Sequence, residues 1–128
     1  MDCSGCAANI VNKITDPTVS GITIIPTVAP GSNGQCGKND SGDCVQERPC
    51  HITGTVFLRN NYPVSIFKVE WTNLDGTINT ITLAPGDQIN VPVDVLMNCG
   101  EPNKVVIDIY DFLGRIPGGI VAVCSKCS

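Results

Sequence analysis

Residues 88–95 read QINVPVDV, so polar and apolar side chains alternate strictly along this stretch. Successive side chains of an extended chain point to opposite sides, so this pattern predicts a strand with one buried and one solvated face. Pro92 has no N–H to give to a neighbouring strand, so we expect the strand to lie at the edge of a sheet or this position to face solvent. The apolar members of the alternation are Ile89, Val91, Val93 and Val95.

The rest of the chain carries the same signals. Ile, Val and Thr together number 38, against 10 for Leu and Ala, and β-branched side chains pack better on a pleated sheet than in a helix. Pro26 indicates that its strand also lies at an edge or carries a bulge. Six further strands are predicted, over residues 21–28, 52–59, 64–72, 78–83, 104–112 and 119–124.

Turn residues between these strands predict how neighbours pair. Asp75-Gly76 is a strong signal for a hairpin between strands 64–72 and 78–83. Pro85-Gly86 has the residues of a tight turn and predicts a second hairpin, between strands 78–83 and 88–95. The last two strands are expected to pair with each other.

We therefore expect an all-β fold, a two-sheet β-sandwich of about seven strands over residues 18–124. In strand count and length it resembles immunoglobulin-like and fibronectin-like sandwiches. The order Cys50, Trp71, Cys99 is similar to that of immunoglobulin domains, and the resemblance implies a disulfide between the sheets from Cys50 to Cys99. Because Cys99 lies in a turn-rich stretch, a bridge that only anchors loops is the preferred prediction. Cysteine-containing arms are expected at 1–17 and 125–128, and a cysteine-rich loop at 30–50.

Composition argues against several classes of function. The net charge is −4 with only eight Lys and Arg, so nucleic acid is not an expected partner. No apolar run approaches the roughly 20 residues that cross a bilayer, so membrane insertion is not expected. The single histidine, His51, has no matching nucleophile in any motif, and we expect a surface residue with no enzymatic role.

The eight cysteines are the chemically suggestive residues. Disulfides are the preferred prediction, with a role in holding arms and loops rather than the core; eight cysteines allow 105 pairings. No cofactor is expected on that reading. The alternative is a zinc ion held by the two terminal CxxC pairs. Its ligands would be Cys3, Cys6, Cys124 and Cys127.

The first CxxC has a second resemblance. Residues 1–6, Met-Asp-Cys-Ser-Gly-Cys, are similar to the MxCxxC loop of heavy-metal-associated domains, which implies Cu(I) binding by Cys3 and Cys6. The surrounding chain departs from that family, whose short βαββαβ unit this strand-rich sequence lacks.

These expectations lead to a function of assembly or display. Disulfides imply an oxidising environment, and residues 1–3 show no basic or apolar segment of a signal peptide, so we expect a virion or extracellular location. The most concrete version is an accessory virion protein, such as a capsid-decorating or fibre-like subunit, with protein partners or self-association. The CxxC arms at residues 1–17 and 124–128 would tie copies together, or tie each copy to itself, and Leu113 and Ile116 in an apolar turn are candidate contacts with a partner. A zinc-binding module and a secreted adhesive or receptor-type sandwich are the alternatives.

Overall fold

A computed structural model describes residue 3, residues 5–98 and residues 100–127. Within these residues the chain forms antiparallel strands and a single turn of 3-10 helix at Pro17–Val19. The strands are β1 (Ala8–Asn12), β2 (Ile22–Val28), β3 (Gln35–Lys38), β4 (Cys44–Arg48), β5 (Cys50–Asn60), β6 (Phe67–Thr72), β7 (Ile78–Leu83), β8 (Gln88–Met97), β9 (Lys104–Asp111), β10 (Gly114–Arg115) and β11 (Ile120–Cys124).

The strands form two sheets and a separate hairpin. The larger sheet has the order β1-β11-β9-β6-β7, with the short β10 paired to β9. The smaller sheet has the order β2-β5-β8, and β3 pairs with β4 alone. Each pairing is antiparallel. The predicted all-β class is confirmed.

One hydrophobic core joins the two sheets. Ile52, Val56 and Leu58 alternate along β5 in the smaller sheet, and each is fully buried. Ile107 and Ile109 of β9 in the larger sheet are equally buried and belong to the same cluster. The core therefore lies between the inner faces of the two sheets, where apolar burial supplies most of the folding free energy.

The alternating burial predicted for residues 88–95 is confirmed in β8. Val91 and Val93 are buried, Ile89 and Val95 pack against the core, and Pro92 is exposed. All seven predicted strands are present, within a few residues of their expected ends. Among the described residues β2 and β8 are the outer strands of the smaller sheet, so the edge positions that the two prolines indicate are confirmed.

The predicted hairpin at residues 84–87 is wrong. β7 pairs with β6 in the larger sheet, whereas β8 pairs with β5 in the smaller one. The tight turn itself forms, with the Asp87 amide donating to the Ala84 carbonyl, but the chain crosses between the sheets there. The reason is that the backbone of Asn60, at the end of β5, holds the turn. The backbone carbonyl of Asn60 accepts from the Gly86 amide at 2.8 Å, and its backbone N–H donates to the Asp87 carbonyl at 2.9 Å.

Four strands were not anticipated. β1 lies inside the segment 1–17 assigned to an arm, and it pairs with β11 from Ala8 opposite Cys124 to Asn12 opposite Ile120. β3 and β4 turn most of the expected loop 30–50 into a hairpin. Its tip is closed by Asn39, whose side-chain oxygen accepts from the Ser41 and Asp43 amides. β10 is a two-residue strand.

Candidate functional site: a cluster of cysteine sulfurs

Three disulfides join cysteines that both lie among the described residues. Their Cα–Cα distances are 5.7 Å for Cys3–Cys44, 5.8 Å for Cys36–Cys127 and 6.8 Å for Cys50–Cys124. These lie within the span of about 4.4–6.8 Å that disulfides require. The preferred prediction of disulfide stapling is supported by these pairs, which indicate an oxidising, extracellular or secreted environment.

The Cys50–Cys124 disulfide connects the two sheets. Cys50 begins β5 in the smaller sheet and is fully buried, and Cys124 ends β11 in the larger sheet with 7% of its surface exposed. An inter-sheet bridge is therefore present, but Cys50 pairs with Cys124, not with Cys99 as the immunoglobulin resemblance implies. Cys99 lies outside the described residues. Trp71, the third member of that pattern, is half-buried against the core.

The other two disulfides hold the β3–β4 hairpin. Cys3 joins the N-terminal segment to the start of β4, and Cys127 joins the C-terminal segment to β3 through Cys36. Both chain ends are thus fastened to one small hairpin with few buried side chains of its own. A bridge stabilises such a segment by limiting the freedom of the unfolded chain.

Cys6 lies at the centre of the cysteine cluster. Its Sγ atom is 3.2 Å from the Sγ atoms of both Cys36 and Cys127. Its sulfur also lies within 4.8 Å of those of Cys50 and Cys124. Cys6 is completely buried. We call these five residues the sulfur cluster: Cys6, Cys36, Cys50, Cys124 and Cys127.

The pairing of β1 with β11 brings the cysteines together. Because Ala8 lies opposite Cys124, the chain before β1 runs beside the chain after β11, and the Ser125 amide donates to the Ala7 carbonyl at 2.7 Å. The two CxxC segments therefore meet. Sequence reasoning missed this contact because β1 has only five residues and one fully buried apolar side chain, Ile10.

Of the four predicted zinc ligands, Cys6 lies near two others, which belong to two different groups of sulfurs. Cys6 lies against Cys127 and within 4.8 Å of Cys124. Cys3 is instead bonded to Cys44. Its sulfur is therefore not available to bind Cu(I) together with Cys6 while this disulfide is present. No motif or spacing predicts that Cys36 lies beside Cys6. The cysteines also do more than hold loops, because Cys6, Cys50 and Cys124 are part of the hydrophobic core.

A second feature is an exposed apolar patch beside the β9–β10 turn. Phe112, Leu113 and Val64 are 92%, 82% and 80% exposed, and Ile66 is 58% exposed. Residues 64–67, 111–112 and Thr18 line a groove of 330 Å³ here. We call Val64, Ile66, Phe112 and Leu113 the apolar patch.

The predicted apolar turn is confirmed for Leu113 and wrong for Ile116. Leu113 is exposed as expected, but Ile116 is 2% exposed and belongs to the core. The Asp111 carboxylate accepts from the Leu113 and Gly114 amides and tightens the turn. The Ile116 amide then donates to the Ile109 carbonyl at 2.8 Å, which draws Ile116 inward.

Polar contacts around these features are ordinary surface pairs. His51 Nε2 contacts the Asp94 carboxylate, with 51% and 47% of the two side chains exposed. Tyr110 lies beside the apolar patch, and desolvation together with the charge of Glu70 raises its pKa. Neither residue adjoins a nucleophile among the hydrogen-bonded pairs of the described residues.

No family model, curated protein or solved structure matches this chain. In the described ranges, no helix has the length and apolar character needed to cross a membrane.

Proposed function

We propose that this chain is a non-enzymatic assembly protein that works in an oxidising, extracellular setting. Its scaffold would be a two-sheet sandwich of the immunoglobulin-like or fibronectin-like type. Three of the seven predicted strands lie in the smaller sheet and four in the larger, which supports that reading. The most concrete form is an accessory subunit of a virus particle, and a secreted adhesive domain is the alternative within the same class.

The observation that carries the proposal is the apolar patch. Phe112 and Leu113 project from a turn that Asp111 keeps tight, so their exposure does not come from a loosely held loop. Covering neighbouring large apolar side chains with another protein surface lowers the free energy, so such exposed patches are typical of protein–protein contacts. The disulfides would keep the subunit folded outside the cell.

Self-association is the simplest form of assembly to test. We expect the oxidised chain to form dimers or larger species in sedimentation equilibrium, and the double variant Phe112→Ser/Leu113→Ser to weaken association about tenfold or more. Burying one large apolar side chain contributes about 1.5–3 kcal/mol, and 1.4 kcal/mol is a factor of ten. Leu74→Ser is the matched control, because Leu74 is 50% exposed in a different turn.

Two results would contradict the proposal of self-association. One is a wild-type chain that remains monomeric at the highest soluble concentration. The other is equal weakening by the Leu74→Ser control and the patch variant, because the apolar patch would then have no special part in association. Thermal unfolding of each variant checks that the fold is intact.

The second candidate function is the zinc-binding module. The position of Cys6 favours it, because its sulfur lies 3.2 Å from that of Cys127 and within 4.8 Å of that of Cys124, two of the other proposed ligands. Metal analysis and thiol titration of protein kept from air separate the two candidates. About one zinc per chain with four or more free thiols supports the module, whereas eight blocked thiols without metal support the disulfide-stapled assembly protein.

A further inference from the structure

Within the described residues the two sheets have four outer strands, and three of these carry features that oppose further strand pairing. In the smaller sheet, β2 contains Pro26 and β8 contains Pro92, and a proline has no N–H to offer a new neighbour. The Lys104 Nζ atom also donates to the Leu96 carbonyl of β8 at 2.7 Å. In the larger sheet, β1 lies beside β2, which limits access to its edge. Such features protect a sheet edge from pairing with another chain.

The fourth outer strand, β7, contains no residue that opposes pairing. Its sequence, Ile-Asn-Thr-Ile-Thr-Leu, has no proline, glycine or charged residue, and four of its six residues are β-branched. It pairs with β6 on one side, and the described part of the chain places no strand on the other. Ile78 is 61% exposed. An uncharged strand with an open edge is a template for pairing with another strand.

The backbone of β7 presents hydrogen-bonding groups to the open edge at alternate residues. The Asn73 amide donates to the Thr77 carbonyl at 2.8 Å, so the Thr77 backbone faces β6. Backbone groups of an antiparallel strand face its two sides alternately, so those of Ile78, Thr80 and Thr82 face the open edge. Each of these three residues therefore offers one N–H and one carbonyl to a new neighbour.

We propose that two copies of the chain associate by pairing β7 with β7, antiparallel, across a two-fold axis at Thr80. The inference rests on the self-association proposed above and states how the two copies meet. The larger sheets of the two copies then form one continuous sheet. Each chain has a single β7, so this contact closes at two copies and does not propagate into a filament.

The register about Thr80 satisfies the backbone of both copies. Thr80 lies opposite Thr80 of the second copy, and Ile78 lies opposite Thr82 in each direction. These three pairs exchange two hydrogen bonds each, about six in all. The side chains of all three residues are exposed on the outer face of the sheet, so outer face meets outer face across the contact.

Neighbouring registers that keep the faces matched make fewer hydrogen bonds. Centring the contact on Asn79 or Ile81 leaves two pairs within β7, and any further pair requires Gly76 or Ala84. The amides of Gly76 and Ala84 already donate within their own turns. The axis at Thr80 is therefore the one favoured by the backbone.

The same register brings the second copy to the apolar patch. Thr82 lines a groove of 300 Å³ together with Ile66 and Phe112, two members of the patch. Ile78 of the second copy lies opposite Thr82 on that face, with about 4.5–5.5 Å between the Cβ atoms. Pairing therefore covers the exposed Ile78 side chain at the rim of the patch. Lys68 and Glu70 lie one strand inward, on β6, so no charged residue faces its own copy across the contact.

A charge exchange at the axis tests the proposal, using the oxidised full chain in sedimentation equilibrium. Thr80→Lys and Thr80→Glu should each weaken association about tenfold or more, because like charges directly opposite on paired strands are destabilising. An equimolar mixture of the two variants should recover association as a heterodimer, identified by its mass in native mass spectrometry, because lysine then faces glutamate. Thr27→Lys is the matched control and should associate like the wild type, because Thr27 is an exposed threonine of the outer strand β2.

A second pair of variants tests the backbone alone. Thr80→Pro removes an N–H that faces the open edge, a position where an outer strand tolerates proline, and it should weaken association about tenfold or more. Thr80→Ala keeps this N–H and should stay within about threefold of the wild type. Thermal unfolding of every variant checks that the fold is intact.

The outcomes separate this inference from the proposed function. A wild-type chain that stays monomeric refutes self-association and the β7 contact with it. Association that Phe112→Ser/Leu113→Ser weakens, but that neither Thr80→Lys nor Thr80→Glu changes, retains the apolar patch and refutes the β7 contact. Failure of the mixture to recover association refutes the axis at Thr80, and equal weakening by Thr27→Lys refutes the special part of β7.

Discussion

Removing the Cys50–Cys124 disulfide tests how the two sheets are held together. We consider the double variant Cys50→Ala/Cys124→Ala, which leaves the remaining cysteines in place. Alanine is the right replacement, because serine would put hydroxyl groups into a site where Cys50 is 0% and Cys124 7% exposed. The expected result is a lower free energy of unfolding.

The size of the effect depends on the other bridges. The two cysteines are 74 residues apart, and a loop of that length alone would be worth about 4.4 kcal/mol in the chain-entropy model. With the Cys36–Cys127 bond in place, however, the unfolded chain has a shorter path. Cys36 precedes Cys50 by 14 residues and Cys127 follows Cys124 by three, so the bridge closes a loop of about 17 residues, worth about 3 kcal/mol.

Loss of two buried sulfur atoms adds about 1–2 kcal/mol, which brings the expected total to about 4–5 kcal/mol. Urea unfolding followed by far-UV circular dichroism and Trp71 fluorescence gives the free energy. The m-value should also rise, because the unfolded variant exposes more surface. In the presence of a dithiol both proteins lack the bridge, so the difference should fall to the packing contribution alone.

A loss below about 1 kcal/mol without reductant would refute the reasoning, since it would mean that this bond restrains neither the unfolded chain nor the packing of the sheets. An unchanged difference after reduction would also refute it, because the bridge would then contribute nothing beyond its two buried sulfurs. Mass mapping of the variant confirms that the other disulfides have not rearranged.

Two further predictions concern polar groups. Asn60→Ala should cost about 2–3 kcal/mol in the same urea assay, because the buried amide donates to the carbonyls of Ser65 and Leu83; Asn61→Ala, at an exposed neighbour, should cost about 0.5 kcal/mol or less. The hydrogen bond from the Thr77 backbone amide lowers the pKa of Asp75 below its ordinary 3.8. The ionised carboxylate therefore stabilises the fold at a pH above the pKa of the unfolded chain. This contribution is lost as the pH falls through the pKa of the folded chain. An NMR titration midpoint at or above 3.8 would contradict this.

Strands were predictable from the sequence where one face of the strand is buried and the other is exposed to solvent. Alternation along β8 and β6 fixes which side chains enter the core, because a shift by one residue would turn every apolar group to solvent. The β6–β7 hairpin was predictable because Gly76, with φ of 90°, takes a backbone conformation that other residues adopt at a cost. Both signals are local, and the structure agrees with both.

The exchange of sheets after β7 was not predictable from turn residues. Gly86 has φ of 82°, so the tight turn was identified correctly. Turn residues report backbone dihedral angles, however, and the same turn serves a hairpin or a crossing between sheets. The crossing depends on Asn60, 26 residues before Gly86, whose side chain donates to the Leu83 carbonyl and whose backbone pairs with the turn. Such a contact has no signature in either segment alone.

The cysteine arrangement follows from one short edge strand. Nothing in the spacing of the cysteines selects one of 105 pairings, but pairing β1 with β11 determines much of the answer, since it sets Cys6 and Cys124 side by side. The apolar residues of the two large sheets close most of the core without cysteine. The sulfur cluster therefore depends on how the segment before β1 and the segment after β11 meet beside the β3–β4 hairpin.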